Sequence, residues 1–200
     1  MTGRSVARGV PILAASLWPC AAFAHQHGGE AVGLISGLKH PVSGLDHVLA
    51  MVAVGILAAR LGGRALWLVP LSFVTTMIGG GAAGASGTGL PFVELGISGS
   101  ILVLGFVIAL GRQIPTPVAM ALAGFFAIFH GHAHGTEMPV DAAGFAYGAG
   151  FALATALLHA AGLALGIGAD RLAGAWSAKA SRIAGGAVAA AGAGIMAGVI

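Results

Sequence analysis

Pro117-Val118-Ala119-Met120-Ala121-Leu122-Ala123-Gly124-Phe125-Phe126-Ala127-Ile128-Phe129-His130-Gly131-His132-Ala133-His134-Gly135-Thr136-Glu137 is the stretch on which the reading of the chain turns. It is long enough to cross about 30 Å of hydrocarbon as a helix. Its apolar run nevertheless ends in three imidazoles and a carboxylate. Such groups are expensive inside a membrane, so they are rare there and usually serve a site. Two further runs share this character: His25-Gln26-His27 and His40-Pro41-Val42-Ser43-Gly44-Leu45-Asp46-His47. Together the three runs hold seven of the eight histidines of the chain.

Composition places the whole chain in a bilayer. Hydrophobic residues make up 58% and charged residues 8% of the 200 residues. A soluble domain carries about a quarter of its residues charged, so this one has too few to cover a water-facing surface. Its 35 glycines suit helices whose backbones approach closely within lipid. The formal charge of +3 comes from scattered residues and forms no basic patch, so it says little for nucleic acid and no nucleic-acid partner is expected. The single cysteine, Cys20, excludes an intramolecular disulfide and a multi-thiolate metal cage. No stretch resembles the phosphate-cradling loop G-x-x-x-x-G-K-[ST], so no ATP binding by this chain is expected.

The N-terminus reads as a cleavable signal peptide over 1–24, leaving a membrane domain of 25–200. Arg4 and Arg8 form a basic start, an apolar stretch runs from Val10 to Trp18, and Ala22-Phe23-Ala24 matches an A-x-A cleavage site. Cleavage after Ala24 would place His27 third behind a free amine. Amine, two backbone amides and one imidazole can enclose a divalent ion in a square plane, a geometry suited to nickel(II) or copper(II).

Six apolar segments follow, near 41–59, 65–85, 92–110, 117–136, 142–169 and 180–199. They lack the alternation a membrane barrel requires, so the expected fold is all-α, an integral membrane bundle of about six transmembrane helices. Arg60 and Arg64 lie in the first connection, Arg112 in the third, and Arg171, Lys179 and Arg182 in or beside the fifth. By the positive-inside rule those connections are cytoplasmic and both termini of the mature chain face outward. Gly185-Gly186 and Gly192-Ala193-Gly194 offer a close-packing face, either within the chain or in a homo-oligomer.

This topology gathers the ligand-type side chains in one outer layer. His40, Asp46 and His47 fall in the outer half of the first segment, with Pro41 expected in its first turn. His130, His132, His134 and Glu137 fall in the last turns of the fourth. His130, His134 and Glu137 stand at i, i+4 and i+7 and share a helix face, while His132 points elsewhere. His40 and His47, seven apart, are expected about two turns apart on one helix. Glu94 opens the third segment, where the helix dipole favours a carboxylate whatever its role. His159, isolated in the fifth segment, reads as hydrogen-bonded to a neighbour rather than as a ligand. Imidazole suits nickel, copper, zinc and cobalt, so the dense clusters point to a transition-metal site.

The motifs carry a resemblance. His40-Pro41-Val42-Ser43-Gly44-Leu45-Asp46-His47 resembles the H-P-x-x-G-x-D-H signature of the HupE/UreJ family of nickel and cobalt permeases. Phe129 to Glu137 resembles that family's F-H-G-x-A-H-G-x-E. The resemblance implies entry of Ni²⁺ or Co²⁺ into the cytoplasm across the bacterial inner membrane, by a secondary or passive route. His40, Asp46, His47, His130, His134 and Glu137 take motif positions tied to transport, and His132 a variable one. His25 and His27 look like the histidine pair near the mature N-terminus of family members. The implied metal is cargo, with no resident cofactor and no enzymatic reaction. The competing class is a membrane metalloenzyme holding iron or haem, but a di-iron site would call for more carboxylates.

Overall fold

The computed structural model describes residues 30–138, 142–173 and 176–200. Among them every regular element is an α-helix: α1 (Glu30–Ser43), α2 (Leu45–Leu61), α3 (Ala65–Ala85), α4 (Val93–Leu110), α5 (Thr116–Thr136), α6 (Ala142–Ala173) and α7 (Ser177–Met196). The proposed signal peptide, His25 and His27 lie outside the described residues.

The first expected span is corrected by the structure. What reads as one apolar segment at 41–59 is the end of α1 joined to α2 across an 83° bend. Pro41 sits in the last turn of α1, not in the first turn of a spanning helix. Having no N–H, it leaves one helical carbonyl without its bond and weakens that turn. Ser43 Oγ then donates to His40 O at 2.7 Å, and Gly44 turns extended at φ −104° and ψ 125°. Gly44 O accepts the first bond of α2, from Val48 N at 3.1 Å. His40 and His47 therefore flank a corner and do not stack along one helix.

Four helices, α3 to α6, are long and apolar enough to cross a membrane, or five spans if the bent α1–α2 pair counts as one. Six crossings were expected, and α7 is the expected span that does not reach this standard. The outward faces are apolar: Trp67, Leu71, Ile78, Phe106 and Phe125 are exposed, and Phe145 is 84% exposed. In water such a surface would be a liability; against acyl chains it is the matching solvent.

α2 is the innermost helix, with Met51, Val54 and Leu57 buried against Val69 and Phe73 of α3, Leu104 and Ile108 of α4 and Phe151 of α6. Around it the helices associate in close pairs, α3 with α5, α4 with α7, and α1 and α2 with α6. Gly131 and Gly135 set the α3–α5 approach, because a Cβ at either would collide with a carbonyl oxygen of α3, Met77 O or Gly81 O. Gly185 and Gly192, the close-packing face open to either use, pack on α4 of the same chain.

The two ends of the bundle differ in chemistry. Arg60 donates to Ile108 O at 3.0 Å and Arg182 to Leu110 O at 2.9 Å, so both neutralise the carbonyl end of α4. The clustered histidines lie at the other end. His47 begins α2 and Arg60 ends it, about 20 Å apart at 1.5 Å per residue.

Candidate metal centre

The bend at Gly44 builds the first half of the site. Asp46 and His47 occupy the first turn of α2, where a carboxylate is favoured by the helix dipole. Asp46 Oδ1 accepts the His47 backbone N–H at 2.8 Å and lies 2.9 Å from His47 Nδ1. A carboxylate accepts only, so His47 Nδ1 carries the proton and Nε2 presents a lone pair. A carboxylate bonded to one ring nitrogen in this way fixes the orientation in which the other nitrogen can bind a metal. Gly44 makes room for it, since a Cβ there would lie 2.6 Å from Asp46 Oδ1.

α5 supplies the second half. His134 Nε2 lies 2.5 Å from His47 Nε2, so two imidazoles from different helices meet nitrogen to nitrogen, one donating and the other accepting. The other nitrogen of His134, Nδ1, is 3.7 Å from Glu137 Oε2, and His40 Nε2 is 3.6 Å from the same oxygen. His40, His134 and Glu137 each offer a donor atom within 4.8 Å of the others, a spacing that can hold a metal ion. His134 holds the Glu137 carboxyl below the ordinary carboxylate range, against the raising effect of partial burial.

His130 lies deepest, fully buried, its ring edge-on to His47 at a centroid distance of 4.8 Å. Ser100 Oγ is 3.0 Å from His130 Nε2 and 2.6 Å from Ile97 O. With its proton given to Ile97 O, the Ser100 hydroxyl accepts from His130 Nε2–H. The lone pair of His130 is then on Nδ1, which has no hydrogen-bond partner among the described residues.

The expected residues thus converge as His40, Asp46, His47, His130, His134 and Glu137. His132 is held apart from them: its Nε2 is 2.6 Å from Thr88 O, where it ties α5 to the α3–α4 connection. Glu94 is exposed at the start of α4. His159 has no hydrogen-bonding neighbour for either ring nitrogen among the described residues, contrary to the reading of it as a bonded histidine.

Several contributors escape sequence reasoning. Ser100 is one hydroxyl in an apolar helix, and nothing in its spacing marks it. Phe151 packs on His134 at a centroid distance of 4.3 Å. Tyr147, whose ring lies 5.8 Å from that of His40, is the only tyrosine of the chain, a signal that was available. Met77, Gly131, His134, Tyr147 and Phe151 help line a mostly apolar cavity of about 390 Å³ beside the cluster.

With this geometry in place, comparison with known proteins identifies the lineage. The sequence matches the family described as HupE / UreJ protein over residues 13–195. The chain belongs to the HupE/UreJ family. It is 48% identical over 186 residues to Protein HupE of Rhizobium leguminosarum bv. viciae, across 93% of this chain and 95% of that relative. No solved structure matches it. The family is associated with nickel and cobalt uptake, and the chain is a multi-pass membrane protein of that family.

Proposed function

We propose that this chain carries Ni²⁺, or Co²⁺ in its place, across the bacterial inner membrane into the cytoplasm by passive or secondary transport. The observation that carries the reading is the order of the donors. Side-chain exposure falls from 61% at Glu137 through 37% at His40 to 9% at His134 and His47, and His130 is fully buried. An ion arriving from water meets a carboxylate first and imidazoles afterwards, each step exchanging water ligands for nitrogen. Asp46 keeps His47 Nε2 unprotonated, and Ser100 does the same for His130 Nδ1, so both are ready to bind. Mixed imidazole and carboxylate donors suit these ions and hold them loosely enough for release.

The histidine end faces the periplasm in this reading and the arginine end the cytoplasm, as the positive-inside rule requires. Cleavage after Ala24 gives a mature N-terminus in which His25 and His27 capture the ion outside. The chain acts without ATP and without a resident cofactor. Accumulation of radioactive nickel at nanomolar concentration in cells lacking their own nickel importers tests the proposal. Uptake is expected from the wild type, lost in His47→Ala and His130→Ala at equal protein level, and reduced by excess Co²⁺. Retained uptake in both variants would overturn it.

A further inference from the structure

We propose that His159 is a second, inner station for the metal ion, separate from the outer cluster. This rests on the transport reading above. His159 is 1% exposed, and neither of its ring nitrogens has a hydrogen-bond partner among the described residues. An imidazole buried in that way forgoes its hydrogen bonds, which is costly unless a ligand is there to receive them. Its place on α6 gives the ligand a direction. Phe151 packs on His134, and His159 follows it by eight residues, about 12 Å further along the helix. That direction leads away from the histidine end and toward the arginine end.

The ground between the two stations is specific. Phe73 of α3, fully buried, stands edge-on to His159 at a centroid distance of 5.1 Å and lies 5.7 Å from the ring of His130. The two imidazoles are therefore no more than about 11 Å apart across one aromatic ring. One helical turn toward the cluster, Thr155 Oγ1 lies 3.7 Å from Met77 Sδ. Phe73 and Met77 share a face of α3, Thr155 and His159 share a face of α6, and the two faces oppose each other. Met77 also lines the cavity that His134 borders. A thioether and a hydroxyl thus lie between the outer imidazoles and the inner one, weak donors that an ion can pass without being trapped. At this level α2 packs on the backbone of α6, since a Cβ at Gly55 would collide with the carbonyl oxygen of His159.

The test uses the full chain reconstituted in liposomes containing a nickel-sensitive dye, with equilibrium Ni²⁺ binding measured on the same purified protein. His159→Leu keeps the volume and packing against Phe73 and removes the ligand. His159→Gln keeps a polar side chain of similar reach without an imidazole, and covers the case in which the leucine variant does not fold. The expected result is one Ni²⁺ equivalent fewer than wild type and a maximal rate at least tenfold lower, with half-saturation little changed because outer capture is intact. His134→Ala, in contrast, is expected to raise half-saturation. Wild-type rate and stoichiometry in the folded His159 variant would overturn the inner station and leave the outer-site reading standing. A lower rate with full stoichiometry would also overturn it, by showing a packing role only. Absence of Ni²⁺ flux in the wild type would overturn the transport reading itself.

Discussion

Asp46→Asn isolates the part of the site that acts through another residue. In the native site Asp46 Oδ1 lies 2.9 Å from His47 Nδ1 and accepts the His47 N–H at 2.8 Å. Losing an outer-shell partner of a metal-binding histidine typically costs about 10- to 100-fold in metal affinity. Asparagine can still accept from His47 Nδ1 with its amide oxygen, but without charge, and charge-assisted bonds are roughly twice as strong as neutral ones. The expected loss is therefore at the lower end, about tenfold in Kd or about 1.4 kcal/mol. Asp46→Ala, which removes the acceptor altogether, is expected near the upper end. Equilibrium Ni²⁺ binding to the purified full chain reads both. The double variant with His47→Ala decides the mechanism: if Asp46 works by orienting His47, it binds no more weakly than His47→Ala alone. Losses that add would show Asp46 to be a ligand in its own right, and wild-type affinity in Asp46→Asn would refute the orienting role.

Three other outcomes are expected. Gly131→Ala drives a Cβ into the Met77 carbonyl and the α3 backbone, so it lowers the thermal unfolding midpoint in detergent, by overpacking worth about 1–3 kcal/mol; an unchanged midpoint would mean the helices separate freely. His132→Ala removes the bond to Thr88 O together with the packing of a buried ring, so uptake stays near wild type at a stability cost of about 1–3 kcal/mol; abolished uptake at normal protein level would make His132 a ligand. Uptake falls on acidification, because a proton on a ligating imidazole nitrogen excludes metal. Glu137, held below the ordinary carboxylate range by His134, stays charged in mild acid, so its protonation does not cause a loss seen above about pH 4. Uptake unchanged across an acid pH series in reconstituted vesicles would refute the requirement for unprotonated imidazole.

What the sequence disclosed depended on the reach of the signal. α3 was delimited residue for residue, and α4, α5 and α6 began within one residue of their expected starts, because long apolar runs between turn-like separators leave little choice in lipid. The face shared by His130, His134 and Glu137 followed from helical spacing alone. α1 was missed because its 14 residues are too short to span and include Lys39 and His40. The corner at Gly44 was missed for a different reason: Pro41 reads equally well as the start of a helix or as the residue that weakens its last turn. Ser100 behind His130 and the lack of a partner for His159 among the described residues are properties of packing between helices, and the Asp46–His47 pairing follows from the corner that starts α2. No periodicity within one helix encodes them.

The corner is also what makes the cluster suit passage better than storage. On one straight helix His40 and His47 would lie about 10 Å apart along the axis, at 1.5 Å per residue. Folding the chain back at Gly44 lets both approach α5, with His40 and His47 each at a ring-centroid distance of 4.5 Å from His134. His134 then stands between two sets of donors, Nδ1 toward Glu137 and Nε2 toward His47. An ion on either side of that ring has only two or three protein ligands within reach, and water must fill the remaining positions. Partial hydration keeps affinity moderate and exchange open. A storage site would gather all five donors around one centre; here they are strung from the exposed carboxylate to the buried imidazole of His130, so each ligand gained on the inner side replaces one given up on the outer.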